Sequence, residues 1–139
     1  MLVSIVIPCY NSEQTIGKVV ELAIEEFEKL KDYECEFVLV NDYSRDNTWK
    51  SIHALTEKYP NVKGINLAKN FGQHNAIMAG MNYAQGELIL GMDDDMQNHP
   101  SQIPQFLDKM EEGYDIVFDH VEFAYNAGEN VLEEEVFLV

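Results

Sequence analysis

The sequence predicts an α/β protein in which a mostly parallel sheet carries helices on both faces. Short apolar runs of about five residues recur along the chain, and segments with helical periodicity lie between them. The runs are rich in Val and Ile and do not alternate with polar residues, which is typical of strands buried on both faces. Regular alternation of strand and helix with short loops implies parallel strands joined by right-handed crossovers.

The first two strand–helix pairs occupy the N-terminal part of the chain. A strand predicted at 3–7 is followed by a helix at 13–31, whose apolar residues recur at the spacing of one buried stripe. A second strand at 36–40 precedes a helix at 47–59. Ser12 and Asp46 stand just before these helices, and both are residue types that accept hydrogen bonds from the first helical amides.

The same pattern continues to residue 118. Strands are predicted at 62–67, 88–92 and 114–118, and helices at 72–84 and 102–112. Gly86 and Gly113 follow the ends of these helices, where glycine favours termination. Residues 1–118 are therefore predicted to form one domain, whereas residues 119–139 contain six acidic residues and no Lys or Arg. This second segment is predicted to be an acidic tail of strand-like or uncertain structure.

The net charge excludes one large class of partners. The 139 residues contain 25 acidic and 9 basic residues, and the formal net charge is -16. Such a surface repels phosphate backbones and anionic lipid, so nucleic acid is not an expected partner. Hydrophobic residues make up 46% of the chain, which is ordinary for a domain that folds around a core.

Two features of the sequence predict a cytoplasmic chain. No apolar run approaches the ~18–20 residues that span a bilayer, and the N-terminus lacks the basic region of a signal peptide. Cys9 follows the first predicted strand and Cys35 precedes the second. In neighbouring parallel strands these positions lie at opposite edges of the sheet, roughly 15–20 Å apart at ~3.3 Å per residue, so free thiols are predicted.

Polar side chains collect after the predicted strands. Ligands of open parallel sheets bind outside the carboxyl ends of the strands, so this edge is predicted to hold a functional site. The residues concerned are Pro8 to Asn11 after the first strand, Asn41 and Asp42 after the second, Lys69 and Asn70 after the third, and Asp93 to Asp95 after the fourth.

Three consecutive carboxylates, Asp93, Asp94 and Asp95, end the fourth strand. They would repel one another unless a cation neutralised them, and a hard divalent ion suits carboxylate oxygens. In an extended segment Asp93 and Asp95 point to one side and Asp94 to the other. Asp93 and Asp95 are therefore the predicted ligands. A solvated acidic turn is the alternative. An EF-hand is excluded, because Asn98 and Pro104 stand where that loop requires Gly and Glu.

The sequence has no glycine cradle for phosphates, since neither G-x-x-x-x-G-K-[ST] nor G-x-G-x-x-G occurs. A diphosphate would then depend on the metal. Tyr10 could stack on a base and Asp42 could accept from a base or ribose group. Each also has a structural alternative, since Tyr at a strand end is usually a packing residue and Asp42 could cap a turn. His74 is more typical of a surface or packing residue, and His99 is disfavoured as a ligand because hard cations prefer oxygen.

Four ordered motifs resemble those of glycosyltransferase family 2. The Leu-Ala-Lys-Asn-Phe-Gly stretch at 67–72 and Gln97 resemble its polyprenyl-phosphate branch, the dolichyl-phosphate mannose synthase and bactoprenol glucosyltransferase type. The resemblance covers about residues 2–118 and implies the GT-A fold, with a Rossmann-like, mostly parallel sheet. The motifs are Val-Ser-Ile-Val-Ile-Pro-Cys-Tyr-Asn at 3–11, Val-Leu-Val-Asn-Asp-Tyr-Ser-Arg-Asp-Asn-Thr at 38–48, Asn-Phe-Gly at 70–72 followed by Ala76 and Ala79-Gly80, and Asp-x-Asp-x-Gln at 93–97.

The resemblance also implies a site for a nucleotide-sugar. In that site Pro8, Tyr10 and Asp42 would hold the nucleoside. Asp95, together with Asp93, would hold Mg²⁺ or Mn²⁺. Departures from the family pattern are mild. Many relatives have Glu directly after the Tyr-Asn pair, where this chain has Ser12 before Glu13, and a Pro-Pro pair where it has His99-Pro100. The residues implied to contact the nucleotide-sugar are Pro8, Tyr10, Asp42, Lys69 beside the donor phosphates, Asp93, Asp95 and Gln97.

The implied function is transfer of a sugar from a UDP- or GDP-sugar to an acceptor, with polyprenyl phosphate as the acceptor of this branch. Such a reaction belongs to cell wall or polysaccharide biosynthesis. The metal would offset the charge that builds on the leaving diphosphate. No catalytic base is identified, and a phosphate acceptor needs mainly positioning.

The family continues after residue 118 with basic residues, an acceptor-side region and often membrane-associated helices. We therefore expect the chain to be a truncated, donor-binding half that lacks the acceptor-side residues. Because transfer needs both reactants to be held, we expect little or no transferase activity. Membrane association is expected only through the missing parts, at the cytoplasmic face. A homodimer formed through the remaining edge of the sheet is left open.

Three alternative functions can be weighed against this one. A nucleotidyltransferase should have a Gly- and Arg-rich loop after the first strand, and residues 8–13 have neither feature. A receiver-type phosphoacceptor domain should have its acid pair after the first strand rather than after the fourth. A non-catalytic or inactive nucleotide-binding domain stays open as the third.

Overall fold

A computed structural model describes residues 1–96, 99–111, 117–120, 123–125, 129–132 and 135–138. From the first strand to the last helix it shows the predicted alternation of strands and helices. The elements in chain order are β1 (Leu2–Cys9), α1 (Ile16–Glu28), β2 (Glu34–Asn41), α2 (Thr48–Lys58), β3 (Val62–Asn66), α3 (Gln73–Met81), β4 (Leu88–Gly91), a 3₁₀ turn (Pro100–Gln102), α4 (Ile103–Glu111), β5 (Val117–His120), β6 (Phe123–Tyr125), β7 (Glu129–Leu132) and β8 (Glu135–Leu138).

A six-stranded sheet with the strand order β3-β2-β1-β4-β8-β5 forms the centre of the described part of the chain. Strands β1 to β4 are parallel to one another, and β8 pairs antiparallel with β4 and β5. The predicted mostly parallel sheet is confirmed. The chain moves outward from β1 through β2 to β3 and then crosses back to form β4, so the strand order reverses between β1 and β4.

Helices cover both faces of this sheet, as predicted. On one face α1, α2 and α4 pack over a large core that includes Ile5, Ile7 and Phe37. On the other face α3 packs over a smaller cluster that includes Val6 and Val38. The alternation of Ile5, Val6 and Ile7 between the two cores follows from the two-residue period of a strand, and it explains why these three consecutive residues are all apolar.

The close approach of α3 to the sheet depends on Gly80. A Cβ atom at this position would lie 2.5 Å from Cγ1 of Val6 and 2.9 Å from Cγ2 of Val40. These distances are shorter than real Cβ contacts, so any larger side chain would push the helix outward. Gly80 thus sets the distance between the sheet and a helix that begins at the carboxyl-terminal edge.

The start of α1 differs from the prediction. The helix begins at Ile16 rather than at residue 13, and the Ser12 side chain does not cap it. The physical reason is a contact far along the chain, since the backbone N–H of Ser12 donates to Oγ1 of Thr48 at 2.7 Å and holds this segment in the loop. Asp46 does accept from the first amide of α2, at 2.9 Å from the nitrogen of Thr48, and this prediction is confirmed.

The sheet has no break at the predicted boundary after residue 118. Strand β5 runs across that boundary, and β8 lies between β4 and β5 with Leu138 opposite Leu90 and Phe137 opposite Phe118. The backbone of the acidic segment therefore takes part in the central sheet, because β4 and β5 are joined through β8. Strands β6 and β7 form a separate antiparallel pair, and residues 112–116, with Gly113, lie outside the described residues.

A buried carboxylate joins several segments at the amino-terminal edge of the sheet. Glu36 is 7% exposed, and its Oε1 accepts from the Ser4 hydroxyl and from the Gln85 N–H, while Oε2 lies 3.1 Å from Nζ of Lys63. The Ser4 hydroxyl oxygen accepts in turn from the Gly86 N–H at 2.7 Å. Burial by itself raises the pKa of Glu36, but these hydrogen bonds and the Lys63 charge outweigh it and hold the pKa below 4.5.

The two cysteines are free thiols, as predicted. Cys9 pairs in register with Asn41 and Cys35 with Val3, so the thiols lie at opposite ends of the β1–β2 pair. Across the described residues, no helix combines the length and the apolar character needed to cross a membrane.

Candidate active site

The loops after β1, β2 and β4 meet at the carboxyl-terminal edge of the sheet. Strands β1 and β2 end side by side, with Cys9 opposite Asn41, and β4 ends on the other side of β1. Tyr10, Asp42 and the acidic loop, residues 93–95, follow these strand ends closely. The loops after β1 and β4 flank the point where the strand order reverses, which is where open α/β sheets bind ligands. The predicted convergence of polar loops is present.

The three carboxylates of the acidic loop have different surroundings. Asp94 turns toward the loop after β1, where its Oδ2 accepts from the backbone N–H of Tyr10 at 2.9 Å. Oδ1 of Asp93 accepts from Nε2 of Gln73, the first residue of α3, at 3.2 Å. Asp95 is exposed. The side chains of Asp93 and Asp94 thus reach different elements.

Asp94, for which the sequence predicted no ligand role, is hydrogen-bonded twice to the loop after β1. Its carbonyl oxygen accepts from the Thr15 hydroxyl at 2.7 Å, in addition to the bond from Tyr10. Burial raises the pKa of the Asp94 carboxyl group and the nearby charge of Asp95 adds to this, whereas the Tyr10 N–H lowers it. The Asp94 carboxyl group is therefore partly shielded from water and lies close to the charge of Asp95.

Asp42 shapes the loop that precedes α3. The residue is 3% exposed, and its two carboxylate oxygens accept from the backbone N–H groups of Phe71 and Gly72 at 2.7 and 3.0 Å. Its carbonyl oxygen accepts from Nδ2 of Asn70 at 3.1 Å. Gly72 has a φ of 91°, which a side chain would disfavour. The structural role that the sequence offered as an alternative for Asp42 is thus present, although the turn it holds belongs to residues 70–72.

The other predicted contacts fall at the same edge, except one that lies outside the described residues. Pro8 is buried within β1, and Tyr10 is 46% exposed at the end of that strand. Nζ of Lys69 lies 5.0 Å from the centroid of the Phe71 ring, a cation–π contact on the loop that Asp42 holds. Gln97 lies outside the described residues.

A set of amides and hydroxyls joins the loops after β1 and β2, and the sequence analysis missed it. The backbone N–H of Asn11 donates to Oγ of Ser44 at 3.0 Å, and Oδ1 of Asn11 accepts from the Arg45 N–H at 2.9 Å. The Ser44 hydroxyl donates to Oδ1 of Asn41 at 2.6 Å. Asn11 and Tyr43 have φ values of 51° and 58°, in the left-handed region. Asn and Ser after strand ends were the available signal, since both favour such turns.

The residues present fit a divalent cation that is shared with a ligand. Within the part of the chain that the structure describes, no three His, Cys, Asp or Glu side chains form a ready metal cluster. Mg²⁺ is commonly held by one or two carboxylates together with substrate phosphates and water, so Asp93 and Asp95 would be the protein ligands and a diphosphate would supply the rest. Nδ1 of His99 accepts from the Ser101 N–H at 3.1 Å, which makes His99 a cap of the 3₁₀ turn.

The family of this chain follows from a match to a known family of proteins. The model of glycosyl transferase family 2 matches residues 4–132, which is most of the chain. The chain belongs to glycosyltransferase family 2. The matched range extends past residue 118, so it includes much of the segment that the charge pattern separates as an acidic tail.

Two curated relatives of this family 2 chain have the same name, undecaprenyl-phosphate 4-deoxy-4-formamido-L-arabinose transferase. The chain is 43% identical to the protein of Proteus mirabilis (strain HI4320) over 116 residues and 45% identical to that of Shewanella sediminis (strain HAW-EB3) over 117 residues. Each alignment covers 83% of this chain and 35% of the relative. The chain thus spans about a third of the length of these relatives, and the resemblance to the polyprenyl-phosphate branch is confirmed.

Solved structures share the family 2 fold. TarS of S. aureus in complex with UDP-GlcNAc matches with a TM-score of 0.64 at 28% identity, over 85% of this chain and 34% of that chain. The mannosyltransferase PcManGT from Pyrobaculum calidifontis, in complex with GDP-Man and Mn²⁺, matches with a TM-score of 0.58 at 23% identity, over 67% of this chain and 27% of that chain. These likenesses confirm the predicted GT-A fold.

Proposed function

We propose that this chain is the donor-binding part of a polyprenyl-phosphate sugar transferase. It binds a UDP- or GDP-sugar at the carboxyl-terminal edge of the sheet, where the carboxylates of Asp93 and Asp95 would hold Mg²⁺ or Mn²⁺. The sugar is then transferred to a polyprenyl phosphate. Family membership supports the reaction class, and the name of the two relatives supports the acceptor.

The contact between the loops after β1 and β4 is the observation that carries this proposal. The Tyr10 amide and the Asp94 carboxylate, 2.9 Å apart, join the two loops where the strand order reverses. The aromatic ring of Tyr10 and the carboxylate of Asp95 are both exposed on these joined loops. An aromatic face binds a base by stacking, and a hard carboxylate binds the cation of a diphosphate. A nucleoside diphosphate has both a base and a diphosphate that binds a cation.

In this proposal three loops contact different parts of the donor. Tyr10 stacks on the base, and Asp42 holds the loop from which Lys69 reaches the donor phosphates. Asp93 and Asp95 offer hard oxygen ligands to the cation. When bound, the metal acts as a Lewis acid that offsets the charge developing on the leaving diphosphate.

The acceptor phosphate needs orientation rather than activation. It is already anionic, so its attack on the anomeric carbon requires no general base. A bond forms between a phosphate oxygen of the acceptor and the anomeric carbon, the bond from that carbon to the donor β-phosphate oxygen breaks, and the nucleoside diphosphate leaves. Holding the two reactants in near-attack geometry is then the main task of the protein.

Calorimetry with UDP and GDP, each with Mn²⁺ and each in EDTA, tests the site. We expect at least one of the two nucleotides to bind with Mn²⁺ and to bind about tenfold more weakly, or worse, in EDTA. Asp95→Asn should cause a similar loss in the presence of Mn²⁺, because a neutral amide is a poorer ligand for a hard cation. Asp108→Asn, which removes one charge from the exposed surface of α4, is the matched control and should bind as the original chain does.

The two parts of the proposal can fail separately. Equal affinity in Mn²⁺ and in EDTA would remove the metal from the site. Binding of neither nucleotide under any condition would remove the donor itself.

A further inference from the structure

The acidic loop contains one carboxylate that the proposed donor and metal contacts leave without a role. We propose that Asp94 is a positioning residue that holds the loop carrying Tyr10 at a set distance from the carboxylates of Asp93 and Asp95. The inference rests on the donor site proposed above and deepens it. Asp94 acts through the backbone of its neighbour and contacts no part of the ligand.

Asp94 is bonded to both ends of the connection between β1 and α1. Its Oδ2 accepts from the N–H of Tyr10, the residue directly after β1, at 2.9 Å. Its carbonyl oxygen accepts from Oγ1 of Thr15, the residue directly before α1, at 2.7 Å. The two bonds therefore fix the whole connection against the acidic loop, across a separation of 84 residues in the case of Tyr10.

The position of Tyr10 depends on such backbone contacts because its ring is not enclosed by a core. The side chain is 46% exposed, and the next residue, Asn11, has a left-handed φ of 51°. The N–H of Asn11 is bonded to Ser44 in the loop after β2, which ties this segment to the nucleoside side of the site. The bond to Asp94 ties it to the metal side. Together they determine how far the ring lies from the acidic loop.

The distance between ring and metal matters for a ligand that binds at both ends. A nucleoside diphosphate with its cation contacts the base-binding loop and the acidic loop at once, and its affinity depends on whether one geometry serves both contacts. A cation alone contacts one end and is insensitive to the distance. Loss of the bond from Asp94 should therefore weaken the complete ligand and spare the cation.

Two substitutions of Asp94 separate this role from a charge or ligand role. Asp94→Ala removes the acceptor of the Tyr10 N–H, whereas Asp94→Asn keeps a side-chain oxygen that accepts the same bond. For UDP or GDP with Mn²⁺, calorimetry should show a loss of about tenfold in Asp94→Ala, the ordinary effect of losing a hydrogen bond to a charged group, and a loss below about threefold in Asp94→Asn. Mn²⁺ alone, followed by water proton relaxation, should bind both variants within about threefold of the original chain.

Thr15→Val provides a variant that leaves the carboxylate in place, should Asp94→Ala fold poorly. It removes the second bond to Asp94, so a smaller loss in the same direction is expected. Equal losses in Asp94→Ala and Asp94→Asn would overturn the proposal in favour of a charge effect. Weak Mn²⁺ binding in both would overturn it in favour of a metal ligand.

Hydrogen exchange of the Tyr10 amide gives a readout that needs no nucleotide. Exchange in the ligand-free chain should be about tenfold faster in Asp94→Ala and close to the original in Asp94→Asn, since only the alanine variant loses the acceptor. Unchanged exchange in Asp94→Ala would overturn the role of Asp94. If the original chain bound no nucleotide, the donor site would be refuted, while the exchange result would still decide whether Asp94 holds the loop.

Discussion

Two carboxylates of the site bind backbone amides rather than standing ready for a ligand. Asp42 accepts from the amides of Phe71 and Gly72 with one oxygen each, and Asp94 accepts from the amide of Tyr10. Both residues follow buried strands, so their side chains are well placed to join neighbouring loops. These hydrogen bonds shape the loops of the site, and the exposed Tyr10 and Asp95 lie on two of those loops.

Replacing Asp42 tests how far one residue combines these two roles. We expect Asp42→Ala to lower the free energy of unfolding by about 1–3 kcal/mol, because two backbone amides lose a charged acceptor. Nucleotide affinity should fall as well, since the loop that carries Lys69 loses its anchor. Urea unfolding and calorimetry measure the two effects, with Asp108→Ala as an exposed control. An unstable variant that still binds nucleotide normally when folded would make Asp42 a structural cap alone.

At the scale of secondary structure, α3 packs closely on the sheet because Gly80 has no side chain to keep the two apart. We expect Gly80→Ala to destabilise the chain by about 1–3 kcal/mol, because the added Cβ meets Val6 and Val40 at distances that require the helix to move. Gly17, in α1, has no atom within 4 Å of an added Cβ. Gly17→Ala is thus a matched helical control, and it should be neutral or stabilise by up to about 1 kcal/mol. Thermal and urea unfolding compare the two, and equal effects would contradict the packing argument.

The buried carboxylate between β1, β2 and β3 should make stability depend on pH. The pKa of Glu36 in the folded chain lies below its value of 4.5 in the unfolded chain, so its contribution is complete above about pH 4.5 and is lost as the pH falls through the folded pKa. The difference in unfolding free energy between the original chain and Glu36→Gln should therefore shrink as the pH is lowered below 4.5. Glu34→Gln, at an exposed position of the same strand, is the control. A difference that does not change with pH would show that the charge of Glu36 is not the stabilising feature.

At the scale of the whole molecule, the proposed donor contacts gather at one edge of the sheet, and the described residues offer no identified grip on a lipid phosphate. We expect the 139-residue polypeptide to bind the nucleotide but to transfer sugar to polyprenyl phosphate at least about a hundredfold more slowly than a version extended with the C-terminal part of the Proteus mirabilis relative. The reason is that transfer needs both reactants held together. Turnover of radiolabelled UDP- and GDP-sugars compares the two proteins, and comparable rates would contradict the expectation.

Local sequence determined the elements and the edge at which the site forms. Runs such as residues 3–7 and 36–40 have apolar residues on both faces, which predicts central strands between layers of helices. Once those strands are parallel, the residues after them share one edge, and the positions of Tyr10, Asp42 and Asp95 follow. The distance between Cys9 and Cys35 followed from the same register.

Only the tertiary structure decided which loops are bonded to one another. The bonds from Tyr10 to Asp94 and from Gly72 to Asp42 join residues 84 and 30 positions apart, and they depend on the order of strands in the sheet. Periodicity reports on the faces of an element and carries no information about its neighbours. For this reason the start of α1, which a bond to Thr48 delays, and the place of β8 beside β4 became visible only in the folded chain.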